Sequence, residues 1–149
     1  MDRLVLAVTL SRQNATVQNV LSGWLELARQ GDYKALMIDI AEKSYSDAYL
    51  KKYRRLYPIL SKIGKPKDFR RFLTQADACA SHNAYALLDR ILCPTLVIGG
   101  SCDKIVSVAA SVELAEQIRN CELYLYEGLG HAAYEEAPDF NSRVMQFLM

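Results

Sequence analysis

Two short apolar runs with a helix-spaced stretch between them constrain this 149-residue chain more than any other feature. Pro94 to Gly100 reads as a strand buried on both faces, and residues 121–126 read as a second strand of mixed polarity. Between them, Val108, Val112, Ala115, Ile118 and Arg119 recur at helical spacing over 108–119. A strand, helix, strand unit of this length predicts parallel strands joined by a right-handed crossover, so that both carboxyl ends open on one edge of the sheet. Residues 4–10, Leu-Val-Leu-Ala-Val-Thr-Leu, form a third apolar run of the kind a parallel sheet buries on both faces. The fold class that follows is α/β, with three parallel strands and flanking helices.

The edge where the strands end is where open α/β sheets bind their ligands. Asp103 follows the first strand of the unit by three residues and His131 follows the second by five, 28 residues apart. Adjacent strands lie about 5 Å apart, which brings both side chains to the same crevice. A carboxylate there can accept the imidazole Nδ1 proton and fix the tautomer, leaving Nε2 as a general base. Gly99 and Gly100 are expected to permit a sharp exit toward Asp103, and Gly128 and Gly130 to do the same around His131. Taken singly, an Asp after a strand is ordinarily a turn or cap residue and a His ordinarily a surface or core residue. Their paired placement favours an acid and a base.

The middle of the chain reads as helical. Val17, Val20, Leu21, Trp24 and Ala28 mark one helix face, with Gly31 as a left-handed cap, and Asp32 caps a second helix running to about Lys43. Tyr45, Tyr49, Tyr53 and Tyr57 repeat every fourth residue, with Pro58 ending or bending their helix. Pro66 opens a further helix carrying Phe69, Phe72, Leu73 and Ala76. Such stripes read first as packing, and in a lid they would line a pocket for an acyl or aromatic group. His82 reads as a surface residue at a helix end.

Charge is uneven although the net charge is only +1. Residues 51–71 hold nine cationic side chains, Lys65 among them, against Asp68 alone, a local charge of +8 that leaves −7 for the remainder. A solvated helical face is the favoured reading, and attraction of anionic substrates or an acidic surface the other. No recognition-helix pattern stands out, which argues against nucleic acid as a partner. No apolar run reaches the roughly 18 residues that span a bilayer, and a cytoplasmic address is the expectation. Cys79, Cys93, Cys102 and Cys121 are spaced by 14, 9 and 19 residues, which matches no zinc pattern, so reduced thiols are expected and no metal or cofactor is implied.

The segment Cys93-Pro-Thr-Leu-Val-Ile-Gly-Gly-Ser-Cys-Asp103-Lys-Ile-Val, followed by Leu129-Gly-His131, resembles the carboxyl-terminal part of the α/β-hydrolase fold family. Asp103 matches the family's acid, His131 its base, and Glu135 or Glu136 the acidic position that follows. The resemblance implies a partial α/β-hydrolase fold: a first core strand and exit loop at 1–13, an inserted helical lid at 14–90, and a carboxyl-terminal core at 91–149. Catalytic roles would fall to Asp103 and His131, with an ester, amide or related acyl compound as substrate.

One part of the family pattern is missing from these residues. The nucleophile serine should sit upstream in a G-x-S-x-G elbow, beside an oxyanion hole. None of the ten serines has the flanking glycine pair; Ser22, before Gly23, comes nearest. Ser101 competes with Asp103 for one turn, and Cys102 would have its thiolate suppressed by the adjacent carboxylate. The resemblance therefore implies negligible turnover by this chain alone. A bare flank on the 4–10 strand is expected to pair with a second copy or with a complementary amino-terminal chain. A start at Met1, just before a strand internal in the family, is expected of a truncated frame, an internal start or half of a split gene. A non-catalytic binding module or a gene remnant that keeps the crevice are the alternatives.

Overall fold

The computed structural model describes residues 1–63 and 66–149, so Lys65 of the basic run lies outside the described residues. Three parallel strands, β1 (Leu4–Ala7), β2 (Thr95–Gly100) and β3 (Cys121–Tyr126), form one sheet in the order β1-β2-β3. The central strand β2 is buried at every residue. Alternation along it divides the core. Leu96 and Ile98 face one side with Tyr126, Ala133 and Phe140, whereas Val97 faces the other with Leu88, Leu114 and Ile118.

Between β1 and β2 the chain is helical: α1 (Ala15–Arg29), α2 (Tyr33–Ser44), α3 (Asp47–Tyr53), a 3₁₀ turn at Arg54–Leu56, α4 (Tyr57–Leu60), α5 (Arg70–Ser81) and a 3₁₀ turn at Tyr85–Arg90. Caps set several of these boundaries. The side chains of Asn14, Asp32 and Ser46 accept the backbone N–H groups of Val17, Ala35 and Tyr49, and Gly31 takes φ 69° after α1. A core of Val17, Val20, Trp24, Ala28 and Leu36 joins α1 and α2 to Ile105, Val106 and Ala110. Then α6 (Val108–Gln117) crosses from β2 to β3, and α7 (Ala133–Glu136) and α8 (Phe140–Leu148) close the chain. Among the described residues, no helix is long and apolar enough to cross a membrane.

The strand predicted over 4–10 ends at Ala7, because Val8 turns to φ 43°, an uncommon conformation for a β-branched residue. Its four residues are half-buried, not covered on both faces. The crossover helix buries Ala110, Ser111 and Leu114, with Val108, Val112 and Ala115 only partly covered. Small residues on that side allow close approach to the sheet, where a Cβ built on Gly99 would lie 3.2 Å from Ser111 Oγ. Pro58 sits in the first turn of α4, where its missing N–H costs nothing, so it starts a helix instead of ending one. Pro66 precedes a helix that begins only at Arg70. The tyrosine ladder is shorter than its spacing suggests. Tyr45 and Tyr49 stack with ring centroids 4.4 Å apart and Tyr53 lies tilted 4.3 Å from Tyr49, but Tyr57, beyond the 3₁₀ turn, donates to Glu42 at 3.0 Å.

Candidate active site

The turn after β2 is held by backbone hydrogen bonds to the loop that follows β3. Ser101 N–H donates to the Tyr126 carbonyl at 3.0 Å and Cys102 N–H to the Leu129 carbonyl at 2.9 Å. This pairing delivers Asp103 to the carboxyl edge. One carboxylate oxygen, Oδ1, accepts N–H bonds from Ile105 at 2.7 Å and Val106 at 2.9 Å. The other, Oδ2, lies 2.8 Å from His131 Nδ1. The Asp103 side chain is only 3% exposed, and that of His131 is 24% exposed.

Burial alone would raise the Asp103 pKa, but the His131 hydrogen bond and charge, with the two backbone donors, outweigh it and hold the carboxyl below its ordinary value of 3.8. An ionised carboxylate can only accept, so Nδ1 must carry the proton that bridges the pair. In the neutral ring Nε2 then holds the lone pair that a general base requires.

The His131 loop is seated by close backbone approach. A Cβ on Gly100 would stand 2.2 Å from the Leu129 carbonyl oxygen and 2.3 Å from that of Gly130, so residue 100 must be glycine for the loop to lie across β2. A Cβ on Gly130 would meet the Ser44 carbonyl oxygen at 2.6 Å. Gly99, Gly100 and Gly130 thus serve proximity, in place of the sharp turns expected of them. Gly128 alone of the four takes a positive φ, 74°, and its N–H donates to Ser101 Oγ at 2.9 Å.

Two carboxylates after His131 tie the loop to the helical segment. Glu136 accepts from the Ser46 N–H at 2.9 Å and from the Ser46 hydroxyl, Glu135 accepts from the Tyr45 hydroxyl at 2.6 Å, and Ala132 N–H donates to the Ser44 carbonyl at 2.8 Å.

His131 also lines a cavity of about 430 Å³ whose other walls include Val8, Leu10, Leu21, Trp24 and His82. Its lining is chiefly apolar. Trp24 is fixed there by its Nε1–H, which donates to Asp39 at 2.7 Å. Residues 8–10 were expected inside a strand, but the turn at Val8 brings them to this wall; His82, exposed at the end of α5 as its sequence position suggests, borders it as well. No local pattern marks them, because each reaches the cavity through long-range packing. The 370 Å³ groove between Arg3 and Phe147 is lined by none of these residues.

The candidate nucleophiles fare differently. Ser101 Oγ is engaged by Gly128 N–H, Ser22 is exposed on α1, and Cys102 is an exposed free thiol. Among the described residues, no hydroxyl or thiol hydrogen-bonds to His131.

No family model matches the chain. A monoacylglycerol lipase of Xenopus laevis is 28% identical over 74 residues, 50% of this chain and 22% of that protein. A 2-hydroxy-6-oxononadienedioate/2-hydroxy-6-oxononatrienedioate hydrolase of Klebsiella pneumoniae is 39% identical over 62 residues, 41% of this chain and 22% of that one. Among solved structures, an alpha/beta hydrolase enzyme from a Medee basin deep-sea metagenome library superposes with a TM-score of 0.84 at 24% identity. It covers 99% of this chain, which spans 56% of its length. The enol-lactonase of Burkholderia xenovorans LB400 gives a TM-score of 0.82 at 20% identity, with 99% and 56% covered.

Proposed function

We propose that this chain, whose fold is that of the carboxyl-terminal part of an α/β-hydrolase, supplies the acid and the general base of a serine hydrolase acting on ester, amide or related acyl bonds. The single observation that carries this reading is the 2.8 Å contact between Asp103 and His131 at the wall of an apolar cavity. His131 Nε2 would take the proton of a serine presented by an elbow that residues 1–149 do not contain, and would return it to the leaving group. Asp103 would hold the imidazole in the required tautomer and stabilise the imidazolium. Residues 14–90 would act as a lid, with Leu21 and Trp24 taking up the apolar part of the substrate. The nucleophile and the oxyanion hole would come from a complementary amino-terminal segment docked on β1, or from a second protein that carries one.

The test is hydrolysis of an activated aryl ester by the chain alone and by the chain co-expressed with an amino-terminal segment bearing G-x-S-x-G. The chain alone should show negligible turnover. In the complemented pair, Asp103→Asn should lower kcat about 10⁴-fold. Complemented activity that survives His131→Ala would refute the proposal.

The cavity also favours a second reading, since binding an apolar small molecule needs no nucleophile. In that case His131→Ala would leave ligand affinity intact, and no pairing would produce turnover.

A further inference from the structure

Leu56, Ile59, Leu60 and Ile63, spaced i, i+3, i+4, i+7 across the 3₁₀ turn, α4 and the turn that follows it, are all exposed, Ile59 by 59% and Ile63 by 61%. Past Leu60 the chain tightens into a turn, in which the Ser61 N–H donates to the Tyr57 carbonyl and the Lys62 and Ile63 N–H groups donate three residues back, to the Ile59 and Leu60 carbonyls. The opposite side of this stretch is tied to α2. Arg54 forms a two-pronged pair with Glu42, Tyr57 donates to Glu42, and the Tyr33 hydroxyl donates to the Ile63 carbonyl at 2.9 Å. With that side fastened, the apolar stripe is turned outward by construction. An amphipathic helix on a soluble domain ordinarily buries its apolar face. Here Arg54 and Tyr57 are held against α2 while the apolar residues are presented.

The surroundings identify what would cover it. Lys51, Lys52, Arg55, Lys62, Lys67 and Arg71 are all exposed, and none is paired with a carboxylate among the described residues. The one acidic residue between 51 and 71, Asp68, is paired with Arg70. An apolar stripe rimmed by cations matches the surface of a bilayer with anionic headgroups, where aliphatic side chains enter the acyl boundary and lysine and arginine remain among the phosphates. We propose that the stretch 54–63, with its flanking basic residues, docks this protein peripherally on anionic membranes.

The inference is independent of the hydrolase reading, because its readout is partitioning and not turnover. The whole chain is mixed with phosphatidylcholine vesicles with or without phosphatidylserine, and the bound fraction is measured by flotation. Binding should require phosphatidylserine and weaken as salt is raised. The double variant Ile59→Ser/Ile63→Ser should lower the partition coefficient about tenfold or more. Arg55→Glu/Lys62→Glu should abolish the preference for phosphatidylserine. Leu92→Ser, at an apolar residue 73% exposed elsewhere, should change nothing and serves as the control for nonspecific stickiness. Equal binding to neutral vesicles, binding indifferent to the stripe variants, or no binding at all would overturn the proposal. So would vesicle-free self-association that the serine variant abolishes, since a second copy would then cover the stripe.

Discussion

At the scale of single residues, Asp103 carries an electrostatic signature that can be measured without any substrate. Its carboxyl is buried, ionised and held below its ordinary pKa despite the desolvation that opposes this. The unfolded chain binds that proton more readily than the folded one. Stability from this group is therefore fully present above the ordinary carboxylate range near 3.8 and is lost as the pH falls through the folded-state value. Other lowered carboxyls, such as Glu113 beside Arg12, contribute to the same trend, so the informative quantity is a difference. Thermal unfolding followed from pH 7 down to pH 2 should show a shallower acid loss in Asp103→Asn than in the parent. Parallel curves would mean that the carboxylate is not stabilised by its neighbours. The positions of Asp103 and His131 were legible because each lies a few residues past an apolar run. The need for glycine at residue 100 was not, because it arises from a carbonyl 29 residues further along the chain.

Among the elements, the join between α3 and the segment after His131 rests on Ser46. Its hydroxyl accepts the Tyr49 N–H as the α3 cap and also donates to Glu136, while its own N–H reaches the same carboxylate. Ser46→Ala removes the cap and one of the two bonds to Glu136, and should cost about 1–2 kcal/mol in urea unfolding. Amide exchange in Asp47–Tyr53 should quicken while β2 stays protected, and a uniform increase across the chain would contradict a local join. Patterning located the helices with fair accuracy where caps or apolar stripes were strong, as at Gly31 and Asp32. It missed the break between Tyr53 and Tyr57, because a four-residue repeat on a helix cannot reveal where the helix changes to a 3₁₀ turn. The same repeat served two purposes: three rings pack in a row and the fourth anchors the basic segment to Glu42.

For the molecule as a whole, β1 is the edge strand of the sheet. Leu4 N–H and Val8 N–H donate to the Pro94 and Ile98 carbonyls of the β2 side. Alternation along a parallel strand then turns the Val5 and Ala7 N–H groups toward the outer edge, where no strand pairs among the described residues. An edge of this kind is a template for another strand. If it pairs with a second copy or a complementary chain, exchange at Val5 and Ala7 should slow as protein concentration rises or as the partner is added. The sedimentation mass should rise above 16.8 kDa in step. Unchanged exchange together with a monomeric mass would show that the edge stays open.

By itself, the amino-acid sequence determined the local facts: which runs are strands, that the crossover makes β2 and β3 parallel, and that Asp103 and His131 end on one edge. These depend on periodicity and handedness, which act over a few residues at a time. Tertiary structure alone decided that strand β1 stops at Ala7, that His82 and Leu10 share a wall with His131, and that an apolar stripe faces outward from the basic segment. Such outcomes are set by backbones and side chains that meet across dozens of residues, where close packing, and not pattern, selects the neighbour.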